Sequence, residues 1–428
     1  MSPLRAPLVF APRQIIGSLT PMDGIERNDR IWAFVTGLVA PIFGSALSVL
    51  VWGAFVWNVI STAMGRYPCR LGQIGAACTA VAAAYGAVKL GFTIVHSGYE
   101  GWRYWPGPMV FFAPAFYLFR QRVSNSRALF DLLVLGSGFS VVIAAPLAAF
   151  EMLMLDRRAE LLCGNANVFA VMAALFGSIG ALNLLATSRR RRWLGLLAFL
   201  AMVFCVVASG RRVMLLAIPL LTIIIVWAAA HSIQRRTLWR GMAAVLIIMV
   251  IGFFAGSGMF WERFSAIGDD IAKIEQTQDY DSSTGRRILL IKGAWAAVKQ
   301  APFAGYGIEK RMDAVRSSLP EQYHDLVRFT HPHNAYLAAL LDAGILGLIV
   351  LLAMLTAPVW LSVLAPRDAA WRPRLAAGMI VTLCYTASGA AGIMFEHDLM
   401  DAAFVTILIV IAASAAEAER RSAGAANA

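Results

Sequence analysis

Long apolar runs separated by short polar connections occupy most of this chain of 428 residues. The hydrocarbon core of a bilayer is about 30 Å thick, so a spanning helix needs roughly 20 mostly apolar residues. The runs therefore predict an all-α polytopic membrane protein with about 12 transmembrane helices. These lie near residues 31–44, 46–63, 71–95, 106–119, 128–150, 165–187, 193–209, 213–230, 241–258, 335–357, 375–395 and 399–416. The first two runs could also form one helix broken near Pro41 and Gly44.

Composition supports the same class of protein. Hydrophobic residues make up 59% of the chain and charged residues 14%, with a mean hydropathy of +0.67, which is far more apolar than a soluble domain. The net charge of +12 could suggest a nucleic-acid partner, but the basic residues form short clusters between apolar runs. We therefore expect contact with membrane lipids and no nucleic acid.

Basic clusters predict the orientation, because Arg and Lys accumulate in cytoplasmic connections. They occupy every second connection, at 66–70, 120–127, 189–192, 235–240 and 367–374. Both termini are then cytoplasmic, and the long loop 259–334 faces the other side. The predicted organisation is an N-terminal segment 1–30, nine spans in 31–258, the loop 259–334, three spans in 335–416 and a tail 417–428. No signal peptide is evident at the N-terminus.

Motifs for cofactors do not appear in the sequence. The five cysteines lack metal-ligand spacing, and neither a phosphate-binding nucleotide loop nor a dinucleotide fingerprint is present. We predict no cofactor, no metal, no disulfide and no use of ATP.

The long outer loop contains many aromatic and aliphatic residues, so we expect it to be ordered. Its segment from Arg286 to Gln300 has helical periodicity, with apolar positions at 290, 291, 294, 295 and 298. Ser282, Ser283 or Thr284 could cap this helix, and Pro302 with the glycines that follow would end it. Such a helix is predicted to lie on the membrane surface.

Candidate chemistry centres on His333, which precedes the apolar run beginning at 335. A titratable imidazole at the mouth of an apolar helix is costly to hold, which favours a chemical role more than for an average surface histidine. A lone histidine at a helix start is nevertheless more often a cap or a satisfied polar residue than a catalyst. Two pairs of arginines also lie on the predicted outer side: Arg211 with Arg212 between two spans, and Arg286 with Arg287 at the start of the loop helix. The first pair could instead be an ordinary loop pair, and the second could anchor the loop helix to anionic lipid headgroups.

The stretch from Thr284-Gly285-Arg286-Arg287 through Pro302 and Tyr306 to His333-Asn334, followed after nine residues by Gly344 and Gly347, resembles the O-antigen ligase and O-antigen polymerase superfamily. The earlier Ser209-Gly210-Arg211-Arg212 is similar to an arginine element of that superfamily. The resemblance covers about a third of the chain, and the His-Asn and paired-glycine spacing is similar to the ligase subgroup in particular.

This resemblance implies a C-class-like membrane glycosyltransferase architecture in the bacterial inner membrane, with the site facing the periplasm. The donor would be an undecaprenyl-diphosphate-linked glycan and the acceptor a hydroxyl of the lipid A-core oligosaccharide, in a metal-independent and inverting transfer. His333 would be the catalytic base, and Arg211, Arg212, Arg286 and Arg287 would bind the diphosphate. Within the two arginine pairs, alignment with the spacing of the family's motifs favours Arg212 and Arg287. His331, Asn334 and Tyr306 would have supporting roles.

Other charged residues near spans have simpler interpretations. Lys89 is expected to snorkel to lipid headgroups, and Asp342 to form a structural pair. Glu396, His397 and Asp398 are adjacent in an outer turn, which makes convergence on a metal difficult.

Two further functions remain open on this sequence. The same site could serve a repeat-unit polymerase or a protein O-oligosaccharyltransferase. A non-enzymatic glycolipid transporter is a third possibility, although the two related halves that many transporters contain are not visible here.

Overall fold

The computed structural model describes residues 24–121, 128–230 and 268–426, and their regular structure is helical throughout. The longer helices are α1 (Gly24–Phe43), α2 (Ala46–Ala63), α3 (Gln73–Ser97), α4 (Ala113–Gln121), α5 (Leu129–Met154), α6 (Ala166–Ala181), α7 (Arg189–Ser209), α8 (Arg212–Ala229), α9 (Ser283–Gln300), α10 (Gly307–Ser317), α11 (Ala335–Leu364), α12 (Trp371–Ala390) and α13 (Asp398–Ala426). A 3-10 helix, Gly98–Tyr104, follows α3 directly.

Eight helical segments within the described ranges are long and apolar enough to cross a membrane. They are Ala46–Ala63, Gln73–Tyr104, Leu129–Met154, Ala166–Leu185, Arg189–Ser209, Arg212–Ala229, Ala335–Leu364 and Asp398–Gly424. The chain is therefore a multi-pass membrane protein whose described residues contain only helices as regular structure, and each of these segments matches one of the predicted runs. The predicted total of about 12 spans stays a prediction.

The other predicted runs differ from the observed helices. Run 31–44 lies in α1, which begins at Gly24 and carries charged residues in its first turns. Run 106–119 is divided among short helical turns and α4, and run 375–395 corresponds to α12, which already ends at Ala390. Run 241–258 falls outside the described residues. The predicted break after the first run is present, since α1 ends at Phe43 and Gly44 adopts a left-handed φ of 52°.

Two helices form the centre of the bundle. These are α6, with the turn that continues it to Leu185, and α13: in the most apolar 18 residues of each segment, 94% of the residues are buried. A helix that is apolar around its whole circumference needs neighbours on all sides, which explains why these two segments lack an exposed apolar face. The first residues of α3 and the last turns of α13 meet at one end of the bundle, where Glu419 accepts hydrogen bonds from the backbone of Gln73 and Ile74.

A small extramembrane unit lies at the opposite end. Helices α9 and α10 share an apolar core that includes Leu290, Ala294, Val298 and Val315, and this core reaches Leu341 of α11. The predicted loop helix thus begins three residues earlier than expected, at Ser283, with Ser282 as its cap. Three of its five predicted apolar positions are buried, whereas Ile291 and Trp295 remain exposed.

α11 is kinked where the extramembrane unit joins it. Ala343 and Gly344 leave the helical conformation, with φ of −143° and 59° respectively. The backbone of residues 301–305 packs against this kink: Pro302 O accepts from Ile345 N at 2.8 Å, and a Cβ on Gly344 would lie 2.5 Å from the carbonyl carbon of Phe303. Gly344 therefore allows a close backbone approach that a side chain would block.

The interpretation of Lys89 as a headgroup contact is wrong. Its side chain is buried and its ammonium group pairs with Asp342 and with Glu396. A cation in an apolar span is stable when a buried carboxylate offsets its charge, and here two carboxylates do so. The structural pairing predicted for Asp342 is present in the same contact.

Candidate functional site

The segment that carries His333 is fixed by the cap of α11. The side-chain oxygen of Asn334 accepts hydrogen bonds from the backbone of Tyr336 and Leu337, at 3.0 Å each. Its Nδ2 donates to Ala390 O at 3.4 Å, at the end of α12. Asn334 directly follows His333, and its side chain is bonded both to the first turn of α11 and to the end of α12. It therefore has a positioning role for His333.

His333 itself adopts a left-handed backbone conformation, with φ of 51°. Its backbone N donates to Nδ1 of His331 at 2.9 Å, and the two ring centroids are 4.1 Å apart. Phe329 meets the other side of the His333 ring edge-on, with centroids 5.1 Å apart. A non-glycine residue in this conformation needs such surrounding contacts, so His331 helps to hold His333 in place.

The protonation states follow from burial and nearby charge. Burial, with further contributions from His333 and Arg311, lowers the pKa of His331 to about 4. Its ring is therefore neutral at physiological pH, with Nδ1 free to accept. Burial, Arg287 and Arg211 together lower the pKa of His333 below its ordinary 6.5. His333 is thus also neutral near pH 7 and able to accept a proton.

Arg211 lies in the sharp connection between α7 and α8. Its Nη2 donates to Ala391 O at 3.0 Å, while its Nε is buried without a hydrogen-bond partner among the described residues. A Cβ on Gly392 would lie 2.8 Å from this Nη2, so the guanidinium rests directly over that glycine. Burial and the charge of Arg287 lower the pKa of Arg211.

Arg287 approaches the same place from the first turn of α9. Its charge contributes to the lowered pKa of both Arg211 and His333. Within the described ranges, Arg287 forms no ion pair with a carboxylate. Two cations and an imidazole thus lie close enough to interact electrostatically, and an anion bound there would relieve their repulsion.

The other two arginines are placed differently. Arg286 is exposed and pairs with Asp281, with 2.6 Å between Nη2 and Oδ1. Arg212 is the exposed first residue of α8. Of the four candidates, Arg211 and Arg287 are the ones whose charges lower the pKa of His333.

The hydrogen bonds of Tyr306 connect helices and do not involve His333 or the arginines. Its hydroxyl donates to Ala297 O at 2.9 Å, and its backbone N donates to Leu341 O at 2.6 Å. The residue therefore joins the end of α9 to α11, and partial burial raises the pKa of its hydroxyl.

A buried group of four charges, which we call the ion cluster, lies beneath the histidines and consists of Lys89, Arg311, Asp342 and Glu396. Arg311 Nη1 contacts Asp342 at 3.0 Å, and its Nη2 contacts Glu396 Oε2 at 2.8 Å. Lys89 Nζ contacts both carboxylates, at 2.6 Å for Glu396. The two cations lower the pKa of Glu396 and keep it ionised. The formal charges cancel, which makes burial of all four groups tolerable.

One cleft joins the histidine segment to the ion cluster. His331, Asn334 and Gly392 line it together with Arg311 and Glu396. The residues of the outer turn 396–398 have different contacts. Glu396 belongs to the ion cluster, whereas His397 contacts Asp398 at 3.2 Å. No group of three or more metal-ligating side chains occurs in the residues that the structure describes.

Sequence reasoning missed Arg311 and the joint role of Lys89 and Glu396. A signal was present, because a lysine and an aspartate inside apolar runs each require an opposite charge. The partners are not local, however: Lys89 and Asp342 are 253 positions apart, and Lys89 and Glu396 are 307 apart. Spacing along the chain could not connect them.

Comparison with known proteins adds an independent finding. Residues 197–352, which include Arg211, Arg287 and His333, match the family described as O-antigen ligase. An uncharacterized protein of Haemophilus influenzae is 23% identical over 170 residues, which cover 39% of this chain and 42% of that relative. The chain thus spans less than half the length of the curated relative it matches. The family match covers about a third of the chain, and over that part the chain is similar to the O-antigen ligase family.

Proposed function

We propose that this protein is an O-antigen ligase of the bacterial inner membrane, active at the periplasmic face in lipopolysaccharide biosynthesis. It would transfer a glycan from undecaprenyl diphosphate to a hydroxyl of the lipid A-core oligosaccharide. The match of residues 197–352 to the O-antigen ligase family supports the type of reaction, and the helical bundle supports a lipid-borne donor.

One observation carries the proposal: Arg211, Arg287 and His333 converge although more than 120 positions separate the first from the last. A diphosphate is dianionic or more, and arginine binds phosphate oxygens through two parallel hydrogen bonds while staying charged. Among the residues that the structure describes, Nε of Arg211 has no hydrogen-bond partner and Arg287 has no ion pair, so both are suitable donors. The preference within the first arginine pair therefore moves from Arg212 to Arg211.

The proposed reaction is a single displacement. The acceptor oxygen attacks the anomeric carbon, its proton passes to the neutral imidazole of His333, and the bond from that carbon to the diphosphate oxygen breaks. The diphosphate leaves with the electron pair, and the two arginines stabilise its added charge. Attack from the face opposite the leaving group inverts the anomeric carbon. The guanidinium groups would balance the charge, so the reaction is proposed to be metal-independent.

The test uses purified full-length protein in lipid nanodiscs with lipid-linked glycan and lipid A-core. His333→Ala should lower kcat by about 10²- to 10⁴-fold, as expected for loss of a general base. Arg287→Gln and Arg211→Gln should each raise the KM for the donor by about 10- to 100-fold, because a hydrogen bond to a charged group is lost.

The adjacent arginine supplies a matched control. Arg286→Gln removes the same charge one residue away, but from a side chain that already pairs with Asp281. It should change the donor KM much less than Arg287→Gln does. Equal effects of the two substitutions, or full activity of His333→Ala, would contradict the proposed roles.

The alternative acceptors call for a separate comparison. A polymerase or a protein O-oligosaccharyltransferase would use the same diphosphate site and the same base. Offering lipid A-core, a second lipid-linked repeat unit and a serine-containing pilin-like protein side by side identifies the acceptor. Movement of lipid-linked glycan across the bilayer without transfer to any of the three would favour the transporter.

A further inference from the structure

We propose that the turn of residues 301–304, between α9 and α10, inserts the side chain of Phe303 into the lipid leaflet on the side of the candidate site. The extramembrane unit would then be anchored in the bilayer through its own loop as well as through its neighbouring spans. The inference rests on the geometry of this turn and is independent of the proposed chemistry.

The kink in α11 marks the height of the membrane boundary. Beyond Gly344, residues 345–364 continue as 20 residues of helix, which at 1.5 Å per residue extend about 30 Å. This length equals the thickness of the hydrocarbon core. Ile345, Leu346 and Ile349 are exposed at the start of this stretch, as lipid-facing residues would be. The apolar boundary therefore lies near the kink.

Phe303 is held at that height by backbone contacts. Ile345 N donates to Pro302 O at 2.8 Å, and the carbonyl of Phe303 lies against Gly344. The side chain of Phe303 is nevertheless 75% exposed. An aromatic side chain that protrudes beside exposed Ile345 and Leu346 continues their apolar surface.

The length of α3 places the membrane boundary at the same level, independently of α11. α3 begins at Gln73, and at the end of the 24 residues from Gln73 to His96, Nε2 of His96 lies 2.9 Å from Ala304 O, next to Phe303. These residues extend about 36 Å, so His96 also lies near a membrane boundary. Val95 beside it is 79% exposed.

The segment after α3 has the composition of an interfacial belt. Tyr99 is 78% exposed and Trp102 is also exposed, both in the 3-10 helix Gly98–Tyr104. Tyrosine and tryptophan concentrate at the level of lipid headgroups, where an apolar ring and a polar tip are both satisfied. With Phe303, these side chains form an aromatic collar at the end of the bundle that carries the site.

α9 leads into the same turn with an exposed apolar edge. Ile291 and Trp295 are four residues apart and therefore neighbours on the helix surface, and both are exposed. Lys299 follows after four more residues and is also exposed, as suits contact with anionic headgroups. Two exposed apolar side chains followed by a lysine fit a lipid surface better than a protein partner. The turn that follows α9 carries exposed Phe303 beside the exposed Ile345 and Leu346 of α11.

The experiment measures the environment of residue 303 with a spin label in nanodiscs of phosphatidylethanolamine and phosphatidylglycerol. Phe303→Cys is made in a Cys69→Ser background, since Cys69 is the exposed cysteine and the other four are buried. Ile349→Cys provides the lipid-facing control and Asp325→Cys the water-exposed control, on a side chain that is 85% exposed. Collision rates with oxygen and with a water-soluble nickel chelate are compared at each position.

We expect the ratio of oxygen to nickel collisions at 303 to match that at 349 and to exceed that at 325 by at least fivefold. A ratio equal to that at 325 would overturn the proposal. Low collision rates with both reagents would also overturn it, because they would indicate cover by protein.

The unaltered protein supplies a second measurement. A carbene-generating probe dissolved in the acyl-chain region should label the peptide containing Phe303 along with the peptide containing Ile349. Labelling of the second peptide without the first contradicts insertion, whatever the behaviour of the cysteine variants.

Discussion

The position of the Arg211 guanidinium over Gly392 gives a prediction that separates geometry from charge. Gly392→Ala adds one methyl group whose carbon would lie 2.8 Å from Nη2 of Arg211. Ordinary contact begins at 3.4 Å, so the guanidinium moves by about 0.6 Å to restore an ordinary contact. All charges of the site remain, and Gly392 has an ordinary negative-φ backbone or an extended one, which alanine tolerates.

The expected effect on activity follows from that displacement. A misplacement of about 1 Å at a reacting group can reduce the rate about 100-fold, so a shift of 0.6 Å should lower kcat/KM for the donor roughly tenfold. The hydrogen bond to Ala391 O would also be weakened, which costs about 1 kcal/mol of stability. The KM for the acceptor should stay unchanged, because Arg211 is assigned to the diphosphate.

The assay is glycan transfer in nanodiscs at varied donor concentration, with the unfolding midpoint of each variant measured in parallel. Gly53→Ala in α2 is the matched control, since a Cβ there meets no atom within 4 Å. If Gly392→Ala transferred glycan with the same donor KM and kcat as the unaltered protein, the position of Arg211 would not matter for the reaction, and its assignment would fail.

Three further predictions concern the site and the ion cluster. The loss of activity on acidification should have its midpoint below pH 6.5, because His333 must be neutral to act as a base. Arg287→Gln removes a charge that lowers this pKa, so it should move the midpoint of the pH profile upward. Arg311→Met should destabilise the protein by about 3–5 kcal/mol, because Asp342 and Glu396 then share one cation. His331→Ala should lower kcat about tenfold through loss of the acceptor that holds His333 N, whereas His331→Asn should restore part of it.

Each of these predictions has a comparison that could contradict it. Arg286→Gln should leave the pH midpoint unchanged, and an equal shift would mean that the effect is a general one of surface charge. Adding Asp342→Asn to Arg311→Met restores a neutral cluster and should recover part of the lost stability; additive losses would argue against pairing. Equal losses of kcat in His331→Ala and His331→Asn would show that the hydrogen bond to His333 is not what matters.

Local signals in the sequence located much of the fold. The eight helices that are long and apolar enough to cross a membrane follow from the length of the apolar runs. The loop helix follows from its periodicity and from Ser282, whose side chain accepts a hydrogen bond from Gly285 N. These features depend on neighbouring residues along the chain, and a span or a cap is stable for reasons that its own sequence contains.

Relations between distant segments could not be obtained in the same way. Adjacent side chains point in different directions, by about 100° on a helix. Which arginine of a pair faces His333 therefore depends on how the helices pack. The first pair shows this, since register favoured Arg212 while the charge that lowers the pKa of His333 comes from Arg211. The prediction for Lys89 failed for a similar reason, because its carboxylate partners lie far along the chain.

The ion cluster also imposes an order on biosynthesis. Asp342 is synthesised 253 residues after Lys89, which at about 5–20 residues per second is a delay of roughly 13–50 s. During that interval α3 must enter the bilayer with an ammonium group that has no carboxylate beside it, and the flexible side chain can reach headgroup water only if α3 stays shallow or tilted. The helix would settle to its final depth when the last fifth of the polypeptide arrives, so a ribosome stalled before codon 342 should leave α3 closer to the aqueous surface than it is in the finished protein.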